Sequence, residues 1–304
     1  MLSKNGHYAN GRQRWFCPAC RRSFSWHYAG SRHKRKQDWF RQWIAEGYSV
    51  RQLAAQSGFS SRKLYGLIAS RLAQTPSQFA LDASHSHLVF DGTYLHRPNS
   101  LVALMDAQTH RVIRGQYGVS ESSQPQIMEF FERLALDGLQ PLSFTVDGNS
   151  NVIRVVRSLW PDAKVQRCLV HIQRQGLAWC RRDPKTTYAR RLRDIFLNVS
   201  QIRTLSDRDK FLELVTAWED HYGSRIRSRS ESGQVFSEIK RARSMLFRAL
   251  PDMFFYLGDP NIPSSTNGLE GYFSRLKARY RQHRGLSTNN RYQYFTWYFY
   301  LVPR

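Results

Sequence analysis

From Lys34 to Leu72 the apolar residues recur at helical spacing, first Trp39, Phe40, Trp43 and Ile44, then Val50, Leu53, Ala54, Leu64, Tyr65 and Ile68. The second group predicts a helix-turn-helix. Ser49 caps a helix carrying Leu53 and Ala54, Gln56-Ser57-Gly58-Phe59 supplies a turn with Gly at its tight point, and Ser60 or Ser61 caps the next helix. Such helix pairs are also common in ordinary cores. The polar stretch from Gln74 to Ser86, with Pro76 in it, marks a domain boundary.

Beyond that boundary the pattern changes to short apolar runs. His87 to Asp91 ends in an acid, Leu101 to Met105 follows, and Arg111 to Val119 alternates, which together predict an antiparallel three-strand meander. Ser123 to Leu136 has helical spacing at Ile127, Phe130, Phe131 and Leu134. Leu142 to Asp147 is a fourth strand, again ending in an acid, Asn151 to Trp160 a helix closed by Pro161, and Ala163 to Cys168 a fifth strand. Nearly everything after Leu169 is helical in composition. The order predicts an α/β core with a mixed sheet.

Charge narrows the function classes. Lys and Arg number 46 against 23 Asp and Glu, a formal charge of +23 over 304 residues, and self-repulsion of that size points to a polyanionic partner. A membrane is a poor fit, because the uncharged apolar runs fall far short of about 20 residues. MLSKNGHYANGRQRWF has no apolar core of the signal-peptide kind, so the expected location is cytoplasmic and nucleoid-associated. Nucleic acid is the leading partner, and the helix-turn-helix points to double-stranded DNA, with Ser61, Arg62, Lys63 and Tyr65 near the leading end of the helix that would enter the major groove.

The four cysteines are too few for a disulfide framework. Cys17 and Cys20, in GRQRWFCPACRRSF, have the spacing of a zinc knuckle. This is half of a site: tetrahedral closure needs two more ligands, and His7, His27 and His33 are the nearby possibilities. Two unliganded cysteines in a turn remain the alternative.

The acids carry the candidate chemistry. Asp91-Gly92 and Asp147-Gly148 each read as a strand-end acid before a turn, the edge where ligand sites of open α/β sheets gather. If the first and fourth strands are parallel neighbours, both carboxylates share one space, and a cation between them relieves their repulsion. Glu270 lies in the early turns of a helix begun by Pro263 and Ser-Ser-Thr-Asn, beside a buried stripe of Leu269, Phe273 and Leu276. It is either a third metal ligand or a solvated helix acid. From the same helix Arg275, Lys277 and Arg279 project cations suited to a phosphate backbone. Three carboxylates suit two Mg²⁺ or Mn²⁺ ions per active site and phosphodiester cleavage without a covalent nucleophile.

With DGTY after the first strand, DGN after the fourth, CLVH at Cys168 to His171 and TNGLEGYFSRLK later, the sequence resembles the bacterial insertion-sequence transposases of the Mutator-like superfamily, of DDE type. The resemblance implies an RNase H-like core interrupted by a helical insertion and preceded by a helix-turn-helix and a zinc ribbon. Here the ribbon is only half present. The implied organisation is a partial zinc-ribbon over 1–30, a helix-turn-helix module over 31–75, the core over 84–172 and 261–304, and the insertion over 173–260. The family's acids fall on Asp91, Asp147 and Glu270, its Cys-x-x-His on Cys168 and His171, and Asn267 belongs to the segment shaping the catalytic helix. Cys168 and His171 read as a hydrogen-bonded pair fixing the insertion, with His171 near an acid or the scissile phosphate and hence a catalytic candidate. The implied protein binds terminal inverted repeats and target DNA, cleaves and transfers strands with Mg²⁺, and works as a homodimer because two ends must meet. The alternatives are an inactive, domesticated DNA-binding regulator and a ribonuclease H.

Overall fold

The computed structural model describes residues 2–9, 11–26, 39–76, 85–96, 99–228 and 233–304. The chain divides into two compact units, Met1–Arg71 and Leu72–Arg304.

The first unit opens with three antiparallel strands in the order β1 (Ser3–His7), β2 (Gln13–Cys17) and β3 (Arg22–Phe24). Trp15 pairs with Phe24, and Cys17 ends β2 at the turn that holds Cys20. A π-helical turn, Gln42–Glu46, buries Trp43 and Ile44 and stops at Gly47, whose φ of 70° suits a residue without a side chain. Helix α1 (Val50–Ser57) starts with a capping box in which Ser49 and Gln52 satisfy each other's backbone amides. Gly58, at φ 68°, turns the chain toward α2 (Ser61–Leu72), and the Ser60 hydroxyl accepts from the Lys63 amide at 3.4 Å. Leu53, Leu64 and Ile68 are buried.

The second unit is mixed α/β, built on an open five-stranded sheet. Strands β4 (His87–His96), β5 (Asn99–Asp106) and β6 (Val112–Val119) form the antiparallel meander. Strands β7 (Ser143–Val146) and β8 (Lys164–Arg167) extend it parallel to β4, giving the spatial order β6-β5-β4-β7-β8. The two-residue period of the strands sorts their side chains. Leu88, Phe90, Val102, Leu104, Phe144 and Val146 pack on one side with Phe130 and Phe131 of α3 (Gln124–Leu136) and Val155 of α4 (Ser150–Leu159). On the other side lie α9 (Asn267–Tyr280) and α10 (Thr288–Leu301). There Gly115 leaves room for the Phe299 ring, and the Thr145 hydroxyl donates to the Pro263 carbonyl at 2.7 Å.

Between β8 and α9 run four helices, α5 (Leu169–Cys180), α6 (Thr187–Asn198), α7 (Leu205–Arg227) and α8 (Gln234–Ala249), around a core of their own that includes Leu192, Phe196, Phe211, Trp218 and Leu246. No helix among the described residues is long and apolar enough to cross a membrane.

One expectation needs correction. Asp91-Gly92 is not a strand-end turn: β4 continues to His96, with Asp91 opposite Ala103 and Gly92 opposite Val102. The partner strand β5 is long enough to keep pairing past the acid.

Candidate active site

The sheet register brings two acids together. Val89 pairs with Thr145 in the parallel β4–β7 ladder, and two residues further along each strand stand Asp91 and Asp147, on the face turned away from α3 and α4. Asp91 is buried at 7% exposure, and one of its oxygens accepts from the Gly92 amide at 2.9 Å. Asp147 follows the last residue of β7 and is half-buried. Its Oδ1 accepts from the Asn149 amide at 2.8 Å, while the Asn149 side chain caps α4.

A third acid, absent from the sequence reading, is Glu121. It sits in the connection from β6 to α3, and its backbone carbonyl accepts from the Asn149 and Asn151 side-chain amides at 3.1 and 3.3 Å. The chain after Asp147 thus grips the Glu121 turn. Burial, opposed by His171 but reinforced by Asp147 and Glu121, pushes Asp91 up to about 7. Burial and then Asp147 push Glu121 up to about 7, against a smaller pull from the Ser100 hydroxyl, which is buried and makes no well-formed hydrogen bond. Buried carboxylates resisting ionisation beside one another are a charge-starved arrangement.

On the far side stand Cys168, His171 and Glu270. Cys168 precedes α5, and its sulfur accepts from the Thr266 amide at 3.3 Å. Thr266 precedes α9 but leaves that helix uncapped: its hydroxyl lies 3.6 Å from the same sulfur and 3.4 Å from His171 Nδ1. His171 Nε2 lies 3.5 Å from Glu270 Oε1, and Arg174 donates to both Glu270 oxygens at 3.2 and 3.3 Å. A hydrogen bond with Cys168, outweighing burial, pushes His171 up to about 9, with Cys168, Asp91 and Asp147 adding to the rise. Burial alone would raise the Cys168 thiol, yet the bonds and charge of His171 hold it below its ordinary value. Lys277 hydrogen-bonds Thr93, two residues from Asp91; burial lowers its pKa while Asp91 opposes the shift.

The remaining expected residues fall elsewhere. Arg275, Arg279 and Asn267 are exposed on α9. Ser61, Arg62, Lys63 and Tyr65 are exposed at the start of α2, with the Lys63 ammonium 3.9 Å from the centre of the Phe59 ring. Cys17 is half-buried and Cys20 exposed; the Cys17 thiol is lowered chiefly by hydrogen bonding from the Cys20 backbone. His7 ends β1 and is exposed, whereas His27 and His33 lie outside the described residues. Among the described residues no three acids, histidines or cysteines close on one point as a finished metal cage. The donor set at the sheet end nevertheless fits a hard divalent cation: it is made of carboxylate oxygens, and their crowded charge is what such an ion neutralises.

The profile of a family described as "Transposase, Mutator family" matches residues 72–251, more than half of the 304-residue chain. The chain belongs to the Mutator family of transposases. Membership implies an enzyme that binds, cleaves and transfers DNA, chemistry for which transposases generally use divalent metals. The matched span of this transposase holds Asp91, Glu121, Asp147, Cys168 and His171, while Glu270 and α9 lie beyond it. No curated protein matches the chain.

Proposed function

We propose that this transposase serves an insertion sequence, recognising its terminal inverted repeats through α1 and α2 and cleaving and transferring DNA strands at the end of the five-stranded sheet. The observation that carries the reading is the register that sets Asp91 beside Asp147, with Glu121 and the His171–Glu270 pair flanking them. Three antiparallel strands followed by two parallel ones support an RNase H-like core. The exposed leading residues of α2 support a recognition helix.

Asp91, Asp147 and Glu270 would hold two Mg²⁺ or Mn²⁺ ions. When bound, these activate the attacking water or 3′-hydroxyl and offset charge on the leaving oxygen. Glu270 is now held by Arg174 and His171, so binding requires it to exchange those partners. With its pKa near 9, His171 is protonated at neutral pH and can donate from Nε2 to Glu270 or to a phosphate oxygen. Lys277 adds positive charge beside Asp91. Cys17 and Cys20 would supply two ligands of a zinc site that another chain or other residues complete, and two DNA ends call for a homodimer.

The test is incubation of the chain with labelled element ends and Mg²⁺, followed by mapping of the cut strand. Free 3′-hydroxyls at the element boundary, and their joining to a target duplex, are expected. Tight binding of the ends with every strand intact would sink the enzymatic reading in favour of a regulator.

A further inference from the structure

Arg167, the last residue of β8, is a cation in an uncomfortable place. It is 7% exposed, and its Nε is buried with no hydrogen-bond partner. The carboxylates whose charge acts on it are Asp147 and Asp252, and Asp252 is already engaged by Arg157 at 2.7 and 2.8 Å. A buried guanidinium with an unmet donor is costly unless an anion completes it.

The surroundings show where that anion would come from. Arg167 opens onto a cleft of about 890 Å³ between α4 and α8, whose walls also carry Arg154, Arg157, Lys240, Arg241 and Arg248. Among the described residues that line it, Asp252 is the one acid. Gly148 forms the rim of the cleft next to Asp147, and a Cβ on Gly148 would lie 2.5 Å from the Arg167 guanidinium. The glycine therefore leaves the space in which Arg167 sits, and the cleft begins one residue from a carboxylate of the candidate active site. Trp179 is half-buried in the same wall, a ring against which an unstacked base can lie.

We propose that this cleft is a phosphodiester-binding subsite that holds the DNA strand on one side of the phosphate being cut. Arg167 takes a backbone phosphate through its planar fork of donors, a geometry a lysine does not reproduce. Lys240, Arg241 and Arg248 take the phosphates further along the strand. The inference rests on the reading of Asp91 and Asp147 as the place of cleavage, and it adds the path by which the strand leaves that place.

The experiment uses the full chain in EDTA, where binding is measured without cleavage. The probes are a duplex ending at the cut position and two versions in which one strand runs several nucleotides past the cut, one for each side. Lys240→Gln with Arg241→Gln removes two cations without touching the folded core. The double variant is expected to lose about tenfold in affinity for one of the extended probes, to bind the truncated duplex as the parent does, and to lower the slope of log affinity against log salt by roughly two. Arg167→Lys, which keeps the charge, should weaken the same probe and leave the melting temperature nearly unchanged. Equal losses on all probes, or none on any, would overturn the subsite. Cleavage with Mg²⁺ is scored separately: a chain that binds as expected but never cuts refutes the enzymatic reading, whereas a chain that cuts normally with an unaffected double variant refutes the subsite alone.

Discussion

The Glu121 carboxylate occupies the space that a side chain at position 92 would need: a Cβ built on Gly92 would lie 2.2 Å from Glu121 Oε1. Gly92 pairs within the β4–β5 ladder, so its value is emptiness rather than freedom to turn. Gly92→Ala should therefore displace the Glu121 carboxylate, lower stability by no more than the amount typical of overpacking, about 1–3 kcal/mol, because the atoms it meets end a side chain that can swing, and reduce cleavage. Gly271→Ala is the control, since its Cβ would meet the Arg275 guanidinium at an ordinary 3.6 Å. Recovery of the melting temperature in Gly92→Ala with Glu121→Ala would confirm the clash; a Gly92→Ala chain as stable and active as the parent would contradict it.

Loss of any one proposed metal ligand should separate chemistry from binding. Asp91→Asn, Asp147→Asn and Glu270→Gln are each expected to abolish strand cleavage while DNA affinity stays within a few-fold, because affinity rests on lysine and arginine. Cleavage and binding are measured on the same labelled duplex. Substantial cutting by one variant removes that residue from the site.

Stability should depend on pH through Glu121. Its pKa is about 7 in the folded chain and near the ordinary 4.5 when unfolded, so the folded state holds the proton more tightly. Its contribution is fully present below pH 4.5, falls as pH rises toward 7 and is then level, an effect on the order of 3 kcal/mol at most. Glu121→Gln cannot ionise. In EDTA its melting temperature should gain on the parent as pH goes from 4.5 to 7, and a constant difference across that window would place the carboxylate in a more open setting.

His171→Gln should cut poorly yet fold normally. It removes a cation lying 3.5 Å from Glu270 while keeping a side chain able to bond the Thr266 hydroxyl. Cleavage rate and melting temperature are read together. A large fall in melting temperature with cutting preserved per folded molecule would make the residue a packing element.

Zinc should be present at less than one ion per chain, since Cys17 and Cys20 are two ligands of the four a structural site needs. Elemental analysis after dialysis decides this. One tightly held ion per chain would show that the sphere is complete.

The succession of strands and the first helices were legible because period-two runs such as Leu88 and Phe90, and a cap such as Ser49, act locally, whereas the helices after Leu169 showed only as a helical composition without boundaries. The Asp91–Asp147 pairing was legible as a conditional, awaiting only the neighbouring of β4 and β7. Gly92 misled because a glycine kept for clearance and one kept for turning are written alike. Glu121 was missed in a polar Ser-Glu-Ser-Ser stretch; its one signal was an acid two residues past the strand that ends at Val119, much as Asp147 directly follows Val146. Arg167 gave no such signal: it closes the short, mostly polar strand Lys-Val-Gln-Arg, and its burial comes from the packing around it.

Thr266 ties Cys168 and His171 across nearly a hundred residues of chain, and close by the Leu169 amide donates to the Ser264 carbonyl at 2.9 Å. The four-helix segment is thus stitched shut at its root, where it leaves the sheet and where it returns. Because His171 stands on the first turn of α5, directly after that tie, its spacing from Glu270 is set at the root and not by the packing of the outer helices α6 and α7.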